Sequence, residues 1–135
     1  MKNIKSLSNY ALLFSSFLLI VSCSLERNII GSWEIESYSE ESGDGSNANA
    51  KNIGTINLEK NGTGSNDLSY RILGNERTEE TDFTYNVKDE NITIKTDGES
   101  DLAKSWIIIE SKRNFQKWKS TDGKGNVQTL ILKKE

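Results

Sequence analysis

The sequence predicts an all-β domain: eight antiparallel strands in up-and-down order, closed into a barrel. Three observations carry this. Proline is absent from all 135 residues. No helical period survives past residue 23. Short runs rich in β-branched and aromatic residues alternate instead with Gly, Asn and Asp clusters.

The first run, residues 29–40, alternates Trp33, Ile35 and Ser37 against Glu34, Glu36 and Tyr38. The second, 53–60, sets Ile56 and Leu58 against Asn57 and Glu59. Asn61-Gly62-Thr63-Gly64 then turns the chain, and Asn-Gly is the strongest short hairpin signal. The third run spans 68–73. The fourth, 81–87, carries Phe83, Tyr85 and Val87 in period two, and the turn at 88–91 leads into the fifth, 92–96, where Ile92 and Ile94 alternate. Asp97-Gly98 breaks that run. The sixth spans 105–110, the seventh 114–119 and the eighth 127–133, with a Gly-rich turn at 122–126 between the last two.

Antiparallel neighbours joined by short turns divide their side chains between an inner and an outer face. The division is clean in the first, second, fourth and fifth runs. It fails in the sixth, where Trp106-Ile107-Ile108-Ile109 is apolar on both faces; that run is either covered on both sides or part of an exposed contact surface. In the seventh, Phe115 and Trp118 have opposite parity, which calls for a bulge. Residues 40–52 read as a long, polar, flexible loop. An open sheet of eight such strands exposes two edges, and closure removes them. The interior of an eight-stranded barrel is just wide enough to fill with side chains or to hold one small ligand.

The front of the chain follows a different logic. Lys2 and Lys5 precede an apolar stretch at 11–21 that is too short to span a bilayer. Ile20-Val21-Ser22-Cys23 has the form of a bacterial lipobox, and Cys23 is the single cysteine. We expect residues 1–22 to be a lipoprotein signal peptide with a helical apolar core. Residues 23–28 would form an acylated N-terminus and short linker, and residues 29–135 the barrel domain. A diacylglyceryl thioether and an amide-linked acyl chain such as palmitate on Cys23 would hold the domain at a membrane, since each buried CH₂ contributes ~0.8 kcal/mol. Ser24 rather than Asp follows the cysteine, so the expected address is the cell envelope at the outer membrane. Whether the domain faces the periplasm or the exterior is left open, because Glu26 alone is a poor match to an acidic surface-export signal.

Composition narrows the chemistry. The chain carries 17 Lys and Arg against 20 Asp and Glu, for a net charge of −3, and loss of Lys2 and Lys5 makes it more acidic still. That balance argues against nucleic acid, whose phosphates demand basic patches, and offers no electrostatic help at an anionic membrane face. Histidine is absent, and an acylated Cys23 leaves no free thiol. The commonest general base, the thiolate nucleophile and Cys- or His-based metal sites are therefore missing. We expect no enzyme activity, no cofactor and no resident metal.

With these motifs in place the chain resembles the lipocalins. Gly31-Ser32-Trp33 is similar to their Gly-x-Trp signature, whose Trp plugs the closed end of an eight-stranded up-and-down barrel. The long loop after the first strand is similar to the one that lipocalins fold over the open end. The closer resemblance is to small lipocalin-like lipoproteins of Bacteroidetes-type bacteria. It rests on the lipobox, Gly31-Ser-Trp-Glu34, Gly54-Thr-Ile56, Asn61-Gly-Thr-Gly64 and Leu130-Ile-Leu-Lys-Lys134. The resemblance implies a basic residue stacked across the Trp from near the last strand, for which Lys133 and Lys134 are the candidates. It also implies a non-catalytic binding barrel that takes a small apolar or amphipathic ligand.

The residues that would carry such a role are Trp33, Ile35, Ile56, Leu58, Phe83, Tyr85, Ile92 and Ile94, which line a pocket or fill the core. Trp33 is expected as a plug whose indole N–H finds an acceptor. Trp106 and Trp118 have two readings: facing outward they could stack on sugar rings or mark a partner surface, and facing inward they are core. Asp97, Glu99 and Asp101 alternate as Ca²⁺ ligands could, but are expected to form a solvated acidic hairpin; Glu79, Glu80 and Asp82 are expected as surface charge. Paired carboxylates can hydrolyse glycosides, but no spacing here indicates two that face each other. The alternative function is a solid barrel that binds a protein or glycan partner of the envelope. Oligomeric state is not legible.

Overall fold

The structure, a computed structural model, describes residues 27–135; the expected signal peptide, Cys23 and the first linker residues lie outside the described residues. The eight strands are β1 (Gly31–Glu41), β2 (Asn47–Leu58), β3 (Thr63–Ile72), β4 (Asn75–Lys88), β5 (Asn91–Lys95), β6 (Ser105–Lys112), β7 (Phe115–Thr121) and β8 (Val127–Lys134). Each pairs antiparallel with the next, and β8 pairs with β1 to close an up-and-down barrel. A helical turn at residues 27–29 precedes β1.

The stretch at 40–52 is not a flexible loop folded over an opening. It is a hairpin, with β2 beginning at Asn47 and pairing with β1 as far as Glu41. Its tip is locked locally: Ser42 N donates to Ser46 O at 2.8 Å and Asp44 Oδ1 accepts from Ser46 N at 2.9 Å. One face of this hairpin packs Tyr38, Ala48 and Ala50 against the core, and the sequence is polar on the other face and at the tip because those meet water, not because it lacks structure. β3 and β4 likewise reach further than their apolar cores suggest, pairing from Thr63↔Thr84 to Ile72↔Asn75.

Two register shifts reassign faces. One lies between Ile35 and Ser37 in both ladders of β1. Because a bulge inserts one extra residue, parity reverses beyond it, and Tyr38, expected outside with Glu34 and Glu36, is buried in the core. The other lies between Ile108 and Glu110 in β6. The bulge that Phe115 and Trp118 called for is thus in the partner strand. β7 itself alternates cleanly, with Gln116, Trp118 and Ser120 buried. In β6, Trp106 and Ile108 turn inward, whereas Ile107 and Ile109 are 46% and 49% exposed on the outer face.

β5 is short, and its ladder with β4 covers only Thr84↔Lys95 to Lys88↔Asn91. At the other end of the barrel the wall between β4 and β7 is the β5–β6 connection, residues 96–104. It is not a free acidic hairpin. Leu102 inserts into the core, and Ile94 N donates to Lys104 O at 3.0 Å.

The middle of the barrel is filled. Trp33, Ile35, Ile56, Leu68, Ile92, Trp106, Trp118, Leu130 and Leu132 are all 0% exposed, so none touches a space large enough for a water molecule. Each such aliphatic side chain stabilises the fold by about 1.5–3 kcal/mol relative to exposure.

Candidate functional site

The two ends of the barrel differ. One holds the turns at 59–62, 89–90 and 113–114 together with the helical turn at 27–29, and it is plugged. Ile29 is fully buried beneath Trp33, whose Nε1 donates to Ile29 O at 2.8 Å. Lys134 covers a face of the indole: its Nζ lies 4.5 Å from the ring centroid and donates to Ile30 O at 2.6 Å. Trp33 and Lys134 are direct partners in the β1–β8 register, while Lys133 points outward to Glu36 at 3.0 Å. Gly31 makes room for this arrangement. Its φ is +125°, and a Cβ there would collide with the Lys134 side chain. Tyr85 belongs to this end: half-buried, it donates from Oη to Glu59 O at 2.5 Å beside a shallow hollow lined by Arg27, Ile29, Gly62 and Val87.

The opposite end is the mouth, bounded by the turns at 42–46, 73–74 and 122–126 and by residues 96–104. Two of its tips touch, Gly43 N donating to Asn126 Oδ1 at 3.3 Å. Just inside stand Tyr38 from β1 and Tyr70 from β3, ring centroids 5.7 Å apart and tilted by 57°. Tyr70 Oη donates to Asp101 Oδ2 of the β5–β6 connection. Burial, reinforced by the charges of Glu40 and Asp101, pushes the Tyr38 phenol well above its ordinary value. Burial followed by the hydrogen bond to Asp101 does the same to Tyr70. Both phenols therefore stay protonated, as donors, across the physiological range. Gln128 of β8 is also buried here, 3.4 Å from Glu40 Oε1.

A cleft of about 490 Å³ opens between the first half of β4 and residues 96–104, lined by Arg77, Thr78, Glu79, Glu99, Ser100, Asp101 and Ala103. Glu79 was expected as surface charge. Alternation instead places it on the inner face of β4, half-buried, with Thr81 and Phe83. Asp97, Glu99 and Asp101 do not form a metal site: among the described residues no group of three or more acidic, His or Cys side chains converges to hold an ion.

Comparison with known proteins speaks to the fold. No protein-family model matches the chain, and no curated protein does. Solved structures match well. A lipocalin-like protein from Bacteroides uniformis aligns with a TM-score of 0.55 at 16% identity, over 80% of this chain and 99% of its own. An uncharacterized protein from Bacteroides eggerthii aligns with a TM-score of 0.51 at 13% identity, over 78% and 98%. The fold is a lipocalin-like barrel. At these identities the likeness is carried by strand order, closure and length rather than by shared side chains.

Within this lipocalin-like barrel, the residues singled out in the sequence fall into three groups. Trp33, Ile35, Ile56, Leu58, Phe83, Ile92 and Ile94 are buried in the filled core. Tyr85 stands apart at the plugged end. Trp106 and Trp118 are both wholly buried, which selects the core over the outward contact surface among their two readings. Their indole N–H groups are satisfied internally, by Leu102 O at 3.0 Å and by Gln116 Oε1 at 3.1 Å. The residues that shape the mouth, Tyr38, Tyr70, Arg77, Glu79 and Asp101, were not singled out as a group. Tyr38 was hidden by the β1 bulge. Tyr70, Arg77 and Glu79 come together only through the β3–β4 register, Tyr70↔Arg77 and Leu68↔Glu79.

Proposed function

We propose that the chain is a lipid-anchored, non-catalytic binding protein of the bacterial cell envelope that holds a small amphipathic ligand at the mouth of its barrel. The observation that carries this reading is the contrast along the barrel axis. The middle is packed solid, and the mouth has a cleft of about 490 Å³ beside two buried phenols and the Asp101 carboxylate. Concave sites that mix apolar surface with a few convergent polar groups are where small ligands bind. A solid middle favours an occupant whose polar part sits in the mouth over one swallowed whole. The lipobox ending at Cys23 supports the anchor, and Ser24 supports the outer membrane as its address. Only a short linker separates Cys23 from the helical turn at the plugged end. The mouth would then face away from the lipid surface.

A second reading has one observation of its own. Ile107 and Ile109 are half exposed, side by side on the outer face of an otherwise filled barrel. An interaction module would present such a patch to a protein or glycan partner.

Native mass spectrometry of the mature chain, purified from its own envelope, separates the two. A co-purifying mass of small-ligand size, lost on mild activation, is the expected result. A bare polypeptide mass in every charge state would remove the ligand reading and leave the Ile107–Ile109 face as the functional surface.

A further inference from the structure

Three buried side-chain polar atoms of the described residues lack a hydrogen-bond partner: Asn66 Nδ2, Asn66 Oδ1 and Glu79 Oε1. They are not scattered. Asn66 pairs with Thr81 and Leu68 with Glu79 in the β3–β4 ladder, so Asn66 and Glu79 are diagonal neighbours on its inner face. Such neighbours stand about 7 Å apart, with side chains leaning toward the same space. Asn66 is only 3% exposed and alternates inward with Leu68, Tyr70 and Ile72. Glu79 lines the cleft between β4 and residues 96–104, whereas Asn66 does not reach it and stands one rung deeper in the barrel, behind Glu79. An unpaired buried polar group is destabilising, and two such side chains on adjacent rungs make a concentrated deficit in a barrel whose three buried indole N–H groups are all satisfied.

We propose that Asn66 and Glu79 form the polar recognition site of the barrel, and that it takes a primary ammonium group with a hydroxyl beside it. Glu79 Oε1 and Asn66 Oδ1 both need donors, and an ammonium supplies them. Asn66 Nδ2 needs an acceptor, and the adjacent hydroxyl oxygen supplies one. The local charge agrees: the cleft carries Glu79, Glu99 and Asp101 against Arg77 alone, so its field draws a cation and repels a carboxylate. The ligand's apolar part would extend outward over Tyr38 and Tyr70. This assignment rests on the reading that a ligand occupies the mouth.

The test uses the full chain in lipid nanodiscs, with 2-aminooctan-1-ol, octanol and sodium octanoate as probes. Binding is followed by NMR titration of the Asn66 side-chain amide and by calorimetry. The expected result is at least a tenfold preference for 2-aminooctan-1-ol over octanoate, with a shift of the Asn66 amide signal. Glu79→Gln should reduce that preference at least tenfold. Asn66→Leu should weaken 2-aminooctan-1-ol at least fivefold while raising Tm, because it removes an unpaired buried amide. A purely structural Asn66, satisfied by trapped water, would instead lower Tm on substitution and leave binding unchanged, and that result overturns the assignment. Equal binding of amine and carboxylate, insensitive to both variants, overturns it too but leaves the mouth as a binding site. Binding of none of the three probes removes both.

Discussion

Gly54 lies where β2 bends, with φ at +142°, and a Cβ there would fall inside the carbonyl of Asp67 on β3. The obstacle is backbone, which cannot rotate aside as a side chain can. Gly54→Ala should therefore cost about 3 kcal/mol or more, or roughly 10 °C or more of Tm for a domain of this size. Thermal unfolding followed by far-UV circular dichroism measures it, and a loss under ~1 kcal/mol would show that the two strands can part without penalty. The same scale explains the choice between Lys133 and Lys134. Adjacent strand residues face opposite sides, so only one of them can reach Trp33, and the β1–β8 register selects Lys134.

Strand β6 shows how one element serves two environments. Trp106 and Ile108 pack inward, whereas Ile107 and Ile109 face out, and the bulge after Ile108 keeps β6 in step with β7. The apolar run is thus neither a strand covered on both faces nor wholly an exposed surface. Its inner and outer halves should separate on mutation. Trp106→Ala should cost about 3–5 kcal/mol, because it empties a wholly buried site and takes from Leu102 O one of its two donors, the other being Lys104 N. The double change Ile107→Ser, Ile109→Ser should stay within about 0.5 kcal/mol of the parent, as outward substitutions usually do. Urea unfolding reads both. Equal costs for the two variants would mean that the outer isoleucines are covered in solution by a second surface. Much of this was legible beforehand: the alternation of Ile56 and Leu58, or of Ile92 and Ile94, states which side chains go inside. Tyr38 was not legible, because the extra residue near Glu36 carries no sequence mark and the phenol sits among glutamates.

For the molecule as a whole, the relation between barrel and anchor decides how the mouth is presented. Residues that support the plug flank the first strand and close the last, Ile29 and Ile30 just before β1 and Lys134 at the end of β8. A tether at Cys23 would therefore pull on the most tightly closed part of the fold. Cys23→Ala should abolish incorporation of radioactive palmitate and release the protein from the membrane fraction. Labelling equal to the parent would refute acylation at that residue. The mouth also shows why net composition was a coarse guide. The excess of acid that argued against nucleic acid includes Glu79, Glu99 and Asp101 gathered at one cleft. No run in the sequence places Glu79 beside Asp101, since the β4–β5 turn and the whole of β5 separate them.

The all-β class, the eight strands, the closure of the barrel and most of the apolar core are written in the order of residues alone. These depend on short-range physics: period-two alternation, turn chemistry, and the cost of leaving sheet edges bare. The case for acylation at Cys23 is likewise a local pattern. Which lysine stacks on Trp33, that Trp106 and Trp118 are interior, that the middle is filled, and that Asn66 and Glu79 stand unpaired on neighbouring rungs emerge with the folded barrel. Each of those depends on register between strands, and register is a non-local quantity: one inserted residue in β1 or β6 reverses every face beyond it.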